Sequence, residues 1–333
     1  MSGSRAGDPA DGAAKAELHV HLEGTIGPAL ARSLAARNGV ALDGALLSGG
    51  ERYRWAGFQG FLRCYDAVAA TVASGRDYAE VTRAYLVGLA ADGCVYAELT
   101  VSPGHAERAG VGWREHFDGV AAGVAAAREA TDIEARLIVT ALRHEPPEEA
   151  EALVRRLERE PRPLVTGFGL AGNETARPAG DFLGAFERAR SLGLGLTVHA
   201  GELAGPESVR DALRLPVTRI GHGVRAVEDA AVVAELAERG IVLEVCPSSN
   251  VALGVAPSWE AHPLRPLHDA GVRVTLGSDD PPHFGTTLGD EYRRARDRLG
   301  FGPDELRAMT RTALEAAFVD EPTRAALLAR AGA

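Results

Sequence analysis

Short apolar runs alternate with amphipathic segments along almost the whole chain, and this alternation limits the fold more than any other feature. In one such segment, residues 77–93, the apolar residues Val81, Tyr85 and Leu89 are four apart, which is helical spacing. The apolar runs predict eight strands, at residues 16–22, 95–101, 135–142, 164–169, 195–200, 219–222, 242–246 and 273–276. Eight strands alternating with helices predict an α/β fold, a (β/α)8 TIM barrel.

A doubly wound open sheet is the competing architecture, but it usually has fewer strands and places its ligand at one switch point. Here polar motifs follow the first, fifth, sixth and eighth predicted strands, and only a closed barrel gathers all four ends around one axis. We expect a single domain over residues 15–333 and a flexible leader at residues 1–14. A helical lid insertion (28–75) follows the first strand, and extra helices from residue 303 onward cover the barrel exterior.

Composition excludes several classes of function. The net charge of −10 argues against a nucleic-acid surface, and no run approaches the ~20 apolar residues of a membrane span. Cys64, Cys94 and Cys246 lie far apart without a CxxC pair, which favours reduced thiols in a cytoplasmic protein. Lys15 is the only lysine, which excludes a P-loop and leaves little room for a lysine that bridges two metals.

Imidazole and carboxylate side chains stand at the ends of the predicted strands. His19 and His21 are two residues apart, so both can point into the barrel from one strand. His199 ends the fifth strand, and Asp279 follows the eighth. Three histidines and one aspartate suit zinc, with an open coordination position for water. The sequence therefore predicts one Zn²⁺ per chain.

Three more polar residues are candidates for catalysis. Glu202 lies three residues beyond His199, where a carboxyl can shuttle a proton; alternatively it caps a helix that begins at Pro206. His222 lies between two glycines, and its alternative is a core histidine bonded to backbone. Asp280 follows Asp279, so aiming both inward requires a distorted strand end; its alternative is a helix cap.

Five motifs, in order between about residues 15 and 318, together resemble the adenosine deaminase family of the amidohydrolase superfamily. They are His19-Val20-His21-Leu22-Glu23-Gly24, Gly169-Leu170-Ala171-Gly172-Asn173-Glu174, His199-Ala200-Gly201-Glu202, Ile220-Gly221-His222-Gly223 and Ser278-Asp279-Asp280-Pro281. The resemblance implies a hydrolase that acts on a C–N bond of a cyclic amidine and releases ammonia from a 6-aminopurine.

The resemblance also implies roles for individual residues. Zinc would be held by His19, His21, His199 and Asp279. Glu202 would protonate purine N1 while water attacks C6, and His222 and Asp280 would orient that water, with Asp280 also near N7. The backbone N–H of Gly172 would contact N3. The aromatic cluster of Phe58, Phe61, Leu62 and Tyr65 matches the family's helical lid over the base; its alternative is an ordinary amphipathic core helix.

The choice of 6-aminopurine depends on a few departures. Glu23 stands where the best-known adenosine deaminases have Asp, Thr100 replaces a common arginine and Gly169 replaces an Asp. Gly221 before His222 resembles adenosine deaminases, because adenine deaminases typically carry Asp there. The prediction is adenosine or 2′-deoxyadenosine first, with adenine, 6-amino-6-deoxyfutalosine and other 5′-substituted adenosines kept open.

Two other functions stay under consideration at this point. One is an amidohydrolase that acts on a cyclic amide or ester, and the other is a non-catalytic ligand-binding paralogue with the same barrel. The missing bridging lysine counts against the first, and the complete set of metal-type ligands counts against the second. The expected partner is a small purine, not nucleic acid or a membrane, and homo-oligomerisation is left open.

Overall fold

Eight parallel strands form the centre of the molecule in a computed structural model that describes residues 13–48 and 52–332. They are β1 (Lys15–His21), β2 (Cys94–Val101), β3 (Glu134–Leu142), β4 (Val165–Ala171), β5 (Gly195–Ala200), β6 (Arg219–His222), β7 (Val242–Val245) and β8 (Arg273–Leu276). Each strand pairs in parallel with the next along the chain. Asp279, just after β8, bridges in parallel to Val20 of β1 and closes the sheet. The predicted (β/α)8 barrel is confirmed.

Helices surround this barrel. They are α1 (Pro28–Asn38), α2 (Gly57–Ala69), α3 (Gly75–Ala91), α4 (Pro103–Arg108), α5 (Trp113–Thr131), α6 (Pro147–Arg159), α7 (Leu183–Ser191), α8 (Pro206–Ala212), α9 (Ala230–Arg239), α10 (Pro247–Ala252), α11 (Leu264–Asp269), α12 (Pro281–Phe284), α13 (Leu288–Leu299), α14 (Pro303–Ala316) and α15 (Glu321–Ala331). In α5, Phe117, Val120 and Val124 are buried at helical spacing, which packs this helix against its neighbours. None of the helices in the described ranges is long and apolar enough to cross a membrane.

The first strand, β1, has a register irregularity between Glu17 and Val20, so side chains do not alternate evenly along its whole length. Before this irregularity, Ala16 and Leu18 pack against the C-terminal helices α14 and α15, which cover the barrel as predicted. At the carboxyl end of the strand, His19 and His21 are two residues apart and share a face.

The predicted insertion after the first strand consists of α1, a pair of two-residue strands (Leu47–Ser48 and Arg52–Tyr53) and α2. Its last helix, α2, lies over the open end of the barrel.

Residues 1–12 of the predicted leader lie outside the described residues. Ala14 is the last residue of this leader, and its backbone carbonyl accepts a hydrogen bond from the Thr310 hydroxyl. The assignment of residues 15–333 to a single domain stays a prediction.

Three short helices that the sequence pattern does not predict follow strands directly: α4 after β2, α10 after β7 and α12 after β8. Each has only four to six residues and proline in its first turn. Such a segment is too short to show helical periodicity, although its proline is typical of a helix start. These turns redirect the chain just beyond the strand ends and so shape the mouth of the barrel.

Candidate active site

Ring nitrogens and a carboxylate converge at the carboxyl end of the barrel. His21 Nε2 lies 3.2 Å from His199 Nε2 and 3.4 Å from Asp279 Oδ1, and His19 Nε2 lies 3.6 Å from that same oxygen. In a tetrahedral zinc site with bonds of about 2.0–2.1 Å, neighbouring donor atoms stand about 3.3–3.4 Å apart. The spacing of these atoms therefore fits the coordination shell of one ion.

The hydrogen bonding of His19 provides an independent test of this fit. Its Nδ1 lies 2.8 Å from Glu244 Oε2, whereas its Nε2 is buried and has no hydrogen-bond partner within the described ranges. A buried nitrogen of this kind costs free energy unless something pairs with it. A carboxylate on Nδ1 selects the tautomer in which Nε2 carries a free lone pair, as a metal ligand requires. The residues present fit a metal ion.

Two of the site residues have unusual backbone conformations. His222 has φ of 60° and Asp279 has φ of 64°, and the described chain holds only one other non-glycine residue with positive φ, Asp132. A left-handed conformation costs about 1–3 kcal/mol at such residues and persists where the surroundings impose it. At Asp279 this is the distorted strand end predicted from the sequence, and it allows consecutive aspartates to face the same space.

The loop that carries Glu202 is held by a single carboxylate, that of Glu174. Its two oxygens accept hydrogen bonds from the backbone N–H groups of residues 201–204 and from the Ser208 hydroxyl. Helix α8 after this loop has no side-chain cap, so Glu202 is not the helix cap considered as its alternative. Glu174 leaves the Glu202 side chain directed at the cavity.

Glu202 is buried and has the electrostatic character of a proton donor. Burial, together with the negative charges of Asp279 and Glu174, raises its pKa well above the usual range of a glutamic acid. Its Oε1 lies 3.7 Å from His222 Nε2. Burial lowers the pKa of His222 to about 3, so this imidazole is neutral.

His222 is oriented by a side chain rather than by backbone. Its Nδ1 lies 3.3 Å from Asn250 Nδ2, and the other end of that amide, Oδ1, lies 3.1 Å from His262 Nε2. An amide N–H donated to Nδ1 requires that the proton of neutral His222 sit on Nε2, towards the cavity. The alternative of a core histidine bonded to backbone therefore does not describe this residue.

Asp280 is the N-cap residue of α12, yet its side chain makes no capping hydrogen bond. Its Oδ1 is buried and accepts no hydrogen bond from the part of the chain that the structure describes. Burial and the adjacent charge of Asp279 raise the pKa of Asp280 well above its usual range. A Cβ at Gly24 would lie 1.7 Å from this oxygen, so glycine there is what makes room for the carboxyl group.

A cavity of about 530 Å³ opens above these residues and under α2. It is lined by the candidate catalytic and binding residues together, namely Glu202, His222, Asp280, Gly172, Glu23, Phe58, Phe61 and Leu62. Of the predicted metal ligands, His21, His199 and Asp279 also line it, whereas His19 lies beneath. Phe58, Phe61 and Leu62 of α2 thus lie over the cavity, and their role as a lid over the base stays a prediction.

Glu23, one of the predicted substrate-binding residues, lies on the wall of this cavity. Its side chain is almost fully buried, and its two carboxyl oxygens accept hydrogen bonds of 3.3 Å from the hydroxyls of Tyr65 and Tyr78. Burial raises the pKa of Glu23 above its ordinary value. The two tyrosines hold a carboxyl group in one orientation on the cavity wall.

Comparison with known proteins identifies this arrangement. A family model described as adenosine deaminase matches residues 14–332, which is nearly the whole chain. The chain belongs to the adenosine deaminase family. It is therefore a hydrolase that acts on a C–N bond of a cyclic amidine, and the family's deaminases are metal-dependent and act on small purines. The recognition drawn from the five motifs is confirmed.

Individual relatives are similar over their full length. A protein named adenine deaminase from Agrobacterium fabrum is 52% identical over 319 residues, covering 96% of this chain and 98% of the relative. The crystal structure of an adenine deaminase from Arthrobacter aurescens superposes with a TM-score of 0.89 at 31% identity, covering 96% and 98% of the two chains. A zinc-bound amidohydrolase from Burkholderia ambifaria has a TM-score of 0.89 at 28% identity, covering 97% and 91%.

The structure of this deaminase adds residues that sequence reasoning missed. Glu244, Glu174 and Asn250 hold His19, the Glu202 loop and His222 in place, and each is more than 25 residues from the group it contacts. Glu174 lies in a motif that was recognised, but nothing in its spacing indicates a carboxylate that binds a loop. Such contacts depend on tertiary structure and have no local sequence signal.

Gly221 allows a first test of the metal centre. A Cβ there would lie 2.7 Å from His19 Cε1 and 3.2 Å from Nδ1 of both His19 and His199. We expect Gly221→Ala to displace these rings and to lower metal affinity roughly 10- to 100-fold, with the fold retained. Elemental analysis after dialysis, with circular dichroism as the check on folding, measures this effect.

Gly88→Ala is the matched control, because a Cβ at Gly88 in α3 would meet nothing within 4 Å. That variant should keep the metal content of the unmodified deaminase. A Gly221→Ala protein that retains a full complement of metal through dialysis would show that the two imidazoles are not packed as ligands of one ion.

Proposed function

We propose that this deaminase converts free adenine and water into hypoxanthine and ammonia, using a single zinc ion. The observation that carries the choice of adenine is the buried carboxyl of Glu23, held on the cavity wall by two tyrosine hydroxyls. The similarity to proteins named adenine deaminase, at about half of all positions and over almost their full length, supports the same substrate.

The chemical argument concerns the imidazole ring of the purine. Free adenine carries an N–H on that ring, whereas in a nucleoside the sugar replaces the hydrogen at N9. A buried, oriented carboxyl oxygen can accept this N–H. With a nucleoside, the same oxygen would face a glycosidic carbon and lose its partner. Sites built to hydrogen-bond an N–H reject analogues that lack it by factors of about 10⁴–10⁵.

Gly221 is weaker evidence for a nucleoside substrate than its sequence context suggested. The residue touches the rings of His19 and His199, where a Cβ would overlap them. In this chain the packing of the two imidazoles accounts for glycine at this position, so Gly221 by itself does not indicate a nucleoside. Adenine therefore replaces adenosine as the proposed first substrate, and the nucleosides are compared with it in the test below.

Zinc fits the donor set of three imidazoles and one carboxylate, and the similar amidohydrolase from Burkholderia ambifaria contains it. Bound there, zinc would supply Lewis acidity, which lowers the pKa of water towards neutrality. The residues of the chain supply the rest. Neutral Glu202 donates a proton to purine N1 as the water oxygen adds to C6, while His222 orients that water with its Nε2–H and Asp280 takes up one of its protons. Asp280 then passes this proton to the amino group, which leaves C6 as ammonia. The remaining hydroxyl proton returns to Glu202 as the 6-oxo group forms.

The substrate proposal predicts a large preference that ultraviolet absorbance can measure. We expect kcat/KM for adenine to exceed that for adenosine, 2′-deoxyadenosine and 6-amino-6-deoxyfutalosine by at least about 10³-fold. Glu23→Gln should lower kcat/KM for adenine by roughly 100-fold, because the amide presents both a donor and an acceptor to the Tyr65 and Tyr78 hydroxyls and disturbs the pair.

Glu145→Gln is the control, since Glu145 also lines the cavity but lies nearer solvent, and its activity should stay within about threefold. Two results would contradict the proposal: a nucleoside turned over as efficiently as adenine, or a Glu23→Gln enzyme with the full adenine activity.

A further inference from the structure

A column of buried charged groups connects the metal centre to the opposite end of the barrel. Below His19, the Glu244 carboxylate accepts from His19 Nδ1 and from the Thr197 hydroxyl, at 2.8 and 2.9 Å. Below Glu244, the Arg219 guanidinium places its Nε 2.7 Å from Glu244 Oε1. Arg219 is the first residue of β6, so the column runs down the inside of the barrel towards the amino ends of the strands.

Arg219 is fully buried and bound on several sides. One terminal nitrogen lies 2.5 Å from Glu98 Oε2, and the other donates to the backbone carbonyl of Ala316 at 3.0 Å. Glu98 in turn accepts from the backbone N–H of Phe318 at 2.6 Å. The guanidinium therefore joins carboxylates of β2 and β7 to the connection between α14 and α15.

The ring of Phe318 closes this end of the barrel. Its centroid lies 3.6 Å from the central carbon of the Arg219 guanidinium. A Cβ at Gly195 or Gly167 would lie 2.1 and 2.8 Å from the ring, so the aromatic side chain rests directly on the backbones of β5 and β4. Phe318 covers the charges beneath the metal centre, and attraction between opposite charges is stronger where water is excluded.

We propose that Arg219 is a positioning residue for the metal ligand His19, and that residues 316–318 complete the metal centre from the far end of the barrel. Arg219 holds Glu244 where it meets His19 Nδ1, and this keeps His19 Nε2 directed at the ion. The C-terminal segment thus affects metal affinity although it does not reach the cavity. This inference rests on the metal centre of the proposed function and extends it to a part of the chain outside the five motifs.

The test measures affinity of the metal-free variants for Zn²⁺ alone, by competition with a fluorescent chelator. In Arg219→Lys a single ammonium group cannot span Glu98, Glu244 and the Ala316 carbonyl. We expect its zinc affinity to fall about 10- to 100-fold. The matched control is Arg265→Lys, because Arg265 stacks on Phe301 at the same 3.6 Å and pairs with Glu305 outside the barrel. That variant should bind zinc within about threefold of the unmodified protein.

Phe318→Leu is the second test variant, because it leaves every ion pair of the column in place and keeps an apolar side chain beneath Arg219. We expect a several-fold loss of zinc affinity, against no change in the control Phe301→Leu. Thermal unfolding of all four variants separates the effects, since a purely structural role would lower the melting temperature without changing zinc affinity. Unchanged zinc affinity in a folded Arg219→Lys variant overturns the proposal. If Arg219→Lys does not fold, unchanged zinc affinity in Phe318→Leu overturns it instead.

Failure of the substrate proposal looks different. An unmodified protein that binds zinc tightly but does not turn adenine over would refute adenine deamination and leave the role of Arg219 intact. An active enzyme whose Arg219→Lys variant binds zinc with full affinity would refute the role of Arg219 and leave adenine deamination intact.

Discussion

Glu202→Gln is expected to lower kcat for adenine by about 10³-fold or more while the metal content stays unchanged. The amide keeps the size and one hydrogen bond of the side chain but has no proton to give to purine N1. General acid catalysis of this kind contributes about 10²–10⁴-fold. KM should change only severalfold, because the substrate's other contacts remain. Ultraviolet assays of adenine consumption, together with elemental analysis, measure both quantities.

The raised pKa of Glu202 adds a pH dependence to this result. The acid form is the active one, so kcat should stay level through neutral pH and fall only as the pH rises through that raised value. Glu207→Gln is the matched control, because Glu207 lies five residues further along at the start of α8, where it accepts a hydrogen bond from the backbone N–H of Gly205. Retention of more than a tenth of the normal kcat in Glu202→Gln would remove this residue as the acid.

His199→Ala should abolish metal binding, which is the largest effect expected at the ligands. Its Nε2 lies 3.2 Å from that of His21, so its removal opens one side of the coordination shell. We expect the metal content after dialysis to fall from about one ion per chain to below about a tenth, and deamination to fall with it. Elemental analysis and the adenine assay on the same preparation measure the two losses.

His144→Ala is the control for that variant, because His144 lines the same cavity but is half exposed. Within the described residues it belongs to no group of side chains that could hold a metal. It should keep its metal. A His199→Ala protein that holds a stoichiometric ion through dialysis would show that the ion sits elsewhere.

The sequence predicted those parts of the molecule that depend on local pattern. All eight barrel strands are found within a few residues of their predicted positions, because runs such as 195–200 are apolar and end at a polar motif. The predicted ligands His19 and His21 converge because residues two apart on a strand share a face. The distorted backbone at Asp279 followed from the need to aim neighbouring aspartates at one space.

What the sequence did not predict depends on contacts between distant strands. Glu244 meets His19 across 225 residues, and Arg219 meets Glu98 across 121. Glu23 was recognised as a departure from the family pattern, but its environment depends on Tyr78, which arrives from another helix. No spacing rule links such residues, since only closure of the barrel brings them together. The proposed preference for adenine depends on the same kind of contact, which is why motif reasoning left several 6-aminopurines open.

Zinc titration of the metal-free enzyme, with adenine turnover followed at each addition, tests the central claim most directly. If three imidazoles and one aspartate hold a single ion that the deaminase requires, activity should rise linearly from a negligible level and reach its plateau at one zinc per chain. Full activity in the metal-free protein, or a plateau at two ions per chain, would contradict it.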